Sequence, residues 1–259
     1  DMVCLDATRV VLEGPGGDYI HANRVEGPPL LNKFICTQGP LENTIADFWR
    51  MVVQNKVKHI YMLCECIEHG KKKCEQYWPE KENESAEYGS IKVENIKTTF
   101  LKGNFKENEG ITREIRITAP GNVVKLVKHN IWRSWPDKSV PGSRLACLRL
   151  LKTIRQSSGT TVIHCSAGVG RTGTFIAIEM VYMDLMSKPE EDTNLIDLVR
   201  KLRGMRMTAV QTDLQYAYIV LAMAYFAKQN KWLNDKNTEL LNAYKNDFDK
   251  ISMERSVKK

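Results

Sequence analysis

At positions 162–173 the chain reads Val-Ile-His-Cys-Ser-Ala-Gly-Val-Gly-Arg-Thr-Gly. An apolar run of strand character stops at a cysteine, small residues follow, and Arg171 opens a segment with helical spacing. A strand that feeds a helix through so short a glycine-bearing loop turns successive backbone N–H groups toward one point, and such nests bind anions. The helix start adds unpaired donors and the positive end of its dipole. Gly168 and Gly170 permit the backbone angles and the close approach that the loop needs. Arg171 offers a planar fork that suits a phosphate's oxygens. The field favours Cys165 as a thiolate nucleophile. The cradle is formed by Ser166, Ala167, Gly168, Val169, Gly170 and Arg171. Nucleophile and oxyanion cradle in one loop point to attack on phosphorus.

The rest of the chain bounds the fold around that loop. Of 259 residues 42% are apolar and 27% charged, a globular balance with ample core material. No apolar run reaches the ~18 residues of a membrane span; the longest lie near 174–183 and 218–227. The chain opens Asp-Met-Val-Cys-Leu-Asp, with no secretory signal and no initiator Met, and reads as a piece of a longer protein. Seven cysteines, at 4, 36, 64, 66, 74, 147 and 165, form an odd, scattered set that fits a reducing compartment. Cys64 and Cys66 are not a zinc pair, because no second pair stands at ligand spacing. The net charge of +7 suits anionic substrates or a solubilised surface. Basic residues are dispersed, without helix-turn-helix, zinc or RNP patterns, which disfavours nucleic acid.

Periodicity predicts helices over 42–56, 143–156, 172–186, 194–203, 212–229 and 237–251. It predicts strands over 57–63, 91–99, 111–118, 123–132 and 161–164, a solvated turn at 71–73 and a polar loop at 80–89. Without repeats or linkers the chain reads as one domain, 1–259. Strands and helices mix without strict alternation. The expected fold is therefore α/β, a twisted mixed β-sheet flanked by helices, with the phosphate-binding loop between a strand and a helix.

The segment His164–Gly173 resembles the signature loop of the tyrosine-specific protein tyrosine phosphatases. Other stretches match the family in order: Asp-Tyr-Ile-His-Ala-Asn at 18–23, Thr-Gln-Gly-Pro-Leu at 37–41, Asp-Phe-Trp-Arg-Met at 47–51 and Lys-Cys-Glu-Gln-Tyr-Trp-Pro at 73–79. Trp135-Pro136-Asp137 matches the mobile acid loop, and Val-Gln-Thr-Asp-Leu-Gln-Tyr at 210–216 the glutamine loop. The resemblance implies hydrolysis of phosphotyrosine in proteins through a phosphocysteine intermediate, without cofactor or metal. Partners are phosphotyrosine-containing proteins or peptides; membrane association is not visible in the chain, and nothing sets an oligomeric state. The implied setting is cytoplasmic, or the cytoplasmic face of a membrane where the parent chain carries an anchor. The resemblance also leaves room for a phosphotyrosine-binding pseudophosphatase or a dual-specificity phosphatase.

Residue roles follow from the same resemblance. Cys165 attacks phosphorus and Arg171 holds the equatorial oxygens. Asp137 protonates the leaving oxygen and then serves as base toward water. Gln211, with Gln215, positions that water, and Thr172 hydrogen-bonds the sulfur. His164 reads as a loop-fixing residue or a core histidine, and Glu68 as the partner of Arg171 or a solvated turn charge. Arg203 supports the loops or lies on a helix surface; Lys73 meets Asp137 or is solvated. Asp1 aligns with the last residue of the family's Asn-Arg-Tyr-x-Asp motif. Either the domain's N-terminal end is cut short or the pocket wall comes from elsewhere, and Asp1 reads as a frayed terminus or as a residue left to bind substrate backbone. The sequence departs from the family at Cys4, His21, Lys138, Ser139, Met205 and Thr208, none of which removes a group that the chemistry needs.

Overall fold

The structure, a computed structural model, describes residues 2–102, 105–106, 109–188 and 190–257. Three strands precede the first helix: β1 (Arg9–Val11), β2 (Tyr19–Val25) and β3 (Lys33–Thr37). A turn of 3-10 helix, Glu42–Thr44, leads into α1 (Ile45–Gln54), and β4 (Val57–Met62) follows. A small hairpin of β5 (Ile67–Glu68) and β6 (Lys71–Lys72) comes next. Then β7 (Ser85–Tyr88), β8 (Ile91–Phe100), β9 (Gly110–Ala119) and β10 (Val123–Trp132) run as an antiparallel meander. After α2 (Ala146–Arg155), β11 (Thr160–His164) leads through the signature loop into α3 (Gly170–Ser187). Three further helices close the chain: α4 (Leu195–Met205), α5 (Asp213–Gln229) and α6 (Asp235–Val257).

Nine of these strands form one mixed sheet in the order β1-β2-β3-β11-β4-β10-β9-β8-β7. The middle four, β3, β11, β4 and β10, are parallel, and antiparallel wings extend on both sides. Parallel strands are covered on both faces, which explains the unbroken apolar runs Phe34-Ile35-Cys36, Ile60-Tyr61-Met62 and Val162-Ile163, all buried. Alternation along the strands sorts the two covering layers. His164 meets Phe48 of α1 on one face, whereas Tyr61 stacks on Phe175 of α3 on the other. α3 is buried nearly all round and is correspondingly apolar, as a helix between the sheet and other helices must be. The C-terminal ends of the parallel strands form one crevice rim, where open α/β sheets place their ligand sites.

The predicted mixed sheet and its flanking helices are present, with element ends differing by a few residues. Segment 80–89 is not all loop: Ser85–Tyr88 forms the edge strand β7, paired with β8. Its polar sequence hid it, because an edge strand needs only one apolar face. Segment 71–73 is solvated at Lys71 and Lys72, but as strand β6 of a tight hairpin and not as a turn, and the Lys73 side chain is mostly covered. The strands β1, β2 and β3 carried no clear period and were not anticipated.

Candidate active site

β11 delivers Cys165 to the rim, where its side chain is buried. The loop beyond is shaped by donors that pull its carbonyls outward. The Cys165 carbonyl lies 3.2 Å from His164 Nδ1, and the Ser166 carbonyl accepts from the Gly39 N–H at 2.8 Å. Arg206 takes the next two, donating from Nη2 to the Ala167 carbonyl at 2.9 Å and from Nε to the Gly168 carbonyl at 3.1 Å. The Val169 carbonyl accepts from the N–H groups of Gly173 and Val210. A trans planar amide points its N–H opposite to its carbonyl. Five outward carbonyls therefore set the N–H groups of residues 166–170 on the inner side of the loop. Gly168 sits at φ +70, and a Cβ there would lie 2.0 Å from the Thr37 carbonyl oxygen, so only glycine fits.

Arg171 follows directly, with its guanidinium buried. Glu68, on the β5–β6 hairpin, grips it in two-point fashion at 2.5 and 3.0 Å. Burial opposes the Arg171 charge, but the Glu68 carboxylate outweighs it and the guanidinium holds its proton more firmly than a free one. The same guanidinium donates to the Trp135 carbonyl at 2.9 Å and lies 3.4 Å from Asp137 Oδ1. Lys73 Nζ lies 2.6 Å from Asp137 Oδ2. Burial raises the Asp137 carboxyl's proton affinity, yet Lys73 and Arg171 together hold it below the usual carboxylate range. The Trp135 indole anchors the acid loop by donating to the Ser139 carbonyl at 3.0 Å, and Lys138 takes φ +52 to turn the chain there.

The glutamine loop closes the rim. Val210 is held at φ +62, a costly setting for a β-branched residue. Arg203 stabilises it by donating to the carbonyls of Ala209 and Val210, both at 2.9 Å. Gly173 leaves room for it: a Cβ there would come within 2.5 Å of the Val210 nitrogen. The Gln211 amide oxygen reaches over Gly170, lying 3.0 Å from where a Cβ on that residue would project. Gln215 is fully buried, and its amide oxygen accepts from the N–H groups of Gln211 and Thr212 in a capping box. Its amide nitrogen donates to the Ser139 carbonyl at 3.5 Å, tying the glutamine loop to the acid loop.

Cys165, Arg171, Asp137, Glu68, Lys73 and Gln211 are thus gathered at one rim, with His164 and Arg203 as loop supports. Gln215 also stands beside Gly170, its amide nitrogen 3.1 Å from where a Cβ on that residue would project, while the same amide braces the two loops. Thr172 is fully buried, and its hydroxyl has no hydrogen-bond partner among the described residues, so the expected bond to the sulfur is not made. Asp1 lies outside the described residues. Sequence reading missed Arg206 and its partner Asn23, whose Oδ1 accepts from Arg206 Nη1 at 2.8 Å. The available signal was the second arginine of Leu-Arg-Gly-Met-Arg at 202–206, three residues beyond Arg203.

The family description "Protein-tyrosine phosphatase" matches residues 1–225. The chain belongs to the protein-tyrosine phosphatase family. It is 35% identical over 267 residues to "Receptor-type tyrosine-protein phosphatase epsilon" of Homo sapiens, covering 98% of this chain and 37% of that protein. Identity is 34% over 224 residues with "Receptor-type tyrosine-protein phosphatase H" of Homo sapiens, covering 84% and 19%. It is 35% over 209 residues with "Phosphatidylinositol phosphatase PTPRQ" of Rattus norvegicus, covering 79% and 9%. The chain therefore spans little more than a third of the length of the first of these phosphatase relatives.

Proposed function

We propose that this domain hydrolyses phosphotyrosine in proteins through a phosphocysteine intermediate. The observation that carries the reading is the inward set of N–H groups at 166–170 beside a buried cysteine, faced by an aspartate that shares Arg171 with it. The cradle and Arg171 bind the three non-bridging oxygens and the charge that spreads over them in the transition state. The Cys165 thiolate forms the S–P bond as the P–O bond to tyrosine breaks, and Asp137 delivers its proton to the departing phenolate oxygen. In the second step water attacks phosphorus, the Asp137 carboxylate takes its proton, and the thiolate leaves. Gln211, above Gly170, orients that water. A dianion in the cradle offsets the Arg171 charge that holds Asp137 ionised, so substrate binding itself promotes the protonated acid.

A pseudophosphatase would lack part of this set, whereas Cys165, Asp137 and Gln211 are all present. Seven unpaired cysteines fit a reducing compartment. No helix among the described residues is long and apolar enough to cross a membrane. Receptor-type relatives support action at the cytoplasmic face of a membrane, on phosphotyrosine-containing proteins. The test is turnover of phosphotyrosyl, phosphothreonyl and phosphoinositide substrates by wild type and Cys165→Ser. Hydrolysis confined to phosphotyrosine and abolished by the substitution is expected. Folded wild type without turnover, or preference for the inositol lipid, overturns the reading.

A further inference from the structure

Behind the nucleophile lies a buried chain of hydrogen bonds that reaches the strand carrying the acid loop. His129 Nε2 lies 2.8 Å from the Tyr77 hydroxyl, which lies 2.7 Å from His164 Nε2. His164 Nδ1 in turn lies 3.2 Å from the Cys165 carbonyl. All three side chains are fully buried. We propose that His129 is a positioning residue for the nucleophile, fixing through Tyr77 the tautomer of His164 that draws the Cys165 carbonyl outward. The proposal rests on the phosphatase reading for its effect on rate, but not for its structural half.

Proton positions along this chain follow from its end. A carbonyl only accepts, so His164 must carry its proton on Nδ1. Burial pushes the His164 imidazolium down to about 4, so the ring is neutral near pH 7 and its Nε2 is a bare acceptor. Tyr77 must therefore spend its one proton on His164. The Tyr77 oxygen is then left to accept, and the donor beside it is His129 Nε2–H. Burial, with Arg113 and His164 adding to it, keeps His129 neutral too, so its Nδ1 is bare. That atom has no hydrogen-bond partner among the described residues. Reversing the chain would set two acceptors face to face at 3.2 Å and leave an N–H orphaned at His129.

The surroundings hold this direction. Trp78 packs 4.7 Å from the His129 ring, and the Arg113 guanidinium, paired with Glu80, lies over Trp78. Phe48 and Trp49 enclose Tyr77, and Phe48 also meets the edge of His164. The outcome is local to the cradle: with the Cys165 carbonyl held outward, the Ser166 N–H is aimed inward.

The test compares His129→Gln, whose amide N–H can still donate to Tyr77, with His129→Phe, which cannot. Tyr77→Phe removes the bridging hydroxyl alone and serves as the second variant should His129→Phe not fold. Two readouts are taken: nitrogen-15 imidazole NMR of His164, and kcat and KM on an aryl phosphate. His129→Phe and Tyr77→Phe are expected to turn the single Nδ1–H form of His164 into a mixture and to lower kcat ~10-fold at nearly constant KM. His129→Gln should keep the single form and stay within ~2-fold of wild type. An unchanged His164 signal in folded His129→Phe or Tyr77→Phe overturns the proposal, as does a His129→Gln as impaired as His129→Phe. If wild type shows no turnover but the His164 signal responds as expected, the phosphatase reading fails while the relay stands.

Discussion

At the scale of single residues, Asp137 sits in a conflict with the role proposed for it. Lys73 and Arg171 hold its carboxyl below the ordinary range, whereas the proposed reaction asks it to donate a proton. Asp137→Asn is expected to lower kcat by ~10²–10⁴ while KM changes little, because acid catalysis acts in the transition state. Equal losses through KM alone would remove Asp137 from that role. Lys73→Met removes one of the two cations that favour the carboxylate, so the Asp137 proton affinity rises. Since the acid works only when protonated, the alkaline limb of the kcat/KM profile should move to higher pH; a limb that stays put would mean Lys73 has no such influence. The cysteine, the arginine and the cradle were legible because they are contiguous, and a loop of adjacent residues carries its geometry in its own spacing. Glu68 was ambiguous for the opposite reason. It stands 103 positions from Arg171, and only the folded hairpin makes it a partner rather than a solvated charge.

At the scale of elements, helices were read more easily than strands. A buried face repeating every three or four residues is visible over ten residues. β2, in contrast, buries Asn23 and leaves Tyr19 exposed, so its pattern follows the site instead of the pleat. The Thr-x-x-Gln box at 212–215 was readable as a helix start, but its second task, bracing Ser139, depends on where the acid loop folds back. α3 poses a separate question of charge. Glu179 is buried on it and bonded to Arg155 of α2, whose guanidinium stacks 3.9 Å from the Tyr182 ring centroid. Burial outweighs Arg155 and pushes the Glu179 carboxyl up to about 7. Its proton is therefore bound more tightly in the folded chain than in the unfolded one, and its contribution to stability is lost as pH rises from about 4.5 to about 7. The stability difference between wild type and Glu179→Gln should slide against the wild type over that window and level off above it. The slope is bounded at about 1.4 kcal/mol per pH unit. Urea midpoints across the range measure it, and a flat difference would place Glu179 in an ordinary ionised pair.

For the molecule as a whole, the histidines set the response to acid. Burial pushes His59 and His164 down to about 4 and His129 well below its usual value. An unfolded chain protonates these rings near pH 6.5, whereas the folded chain refuses the proton. Stability should therefore fall as pH drops from about 6.5 toward 4, partly offset by Glu179 in wild type and more steeply in Glu179→Gln. A folded population that is insensitive to acid over this range would contradict the full burial of His129 and His164 and the partial burial of His59. The general architecture could be inferred from sequence because a parallel core writes its burial as unbroken apolar runs. Strand order could not, because β11 enters between β3 and β4 only after the hairpin, the whole meander and α2 have intervened.

The outward hold on the signature loop has a consequence for the life of the chain. Its clasps come from Gly39 near the beginning, from Val210 and Arg206 near the end, and from a histidine whose own proton is dictated by distant neighbours. A polypeptide still emerging from synthesis, or caught half assembled, owns the sulfur but not the posture around it. Its cysteine at 165 should then be no more reactive than its six companions. Selective labelling of that one thiol would report that assembly is complete.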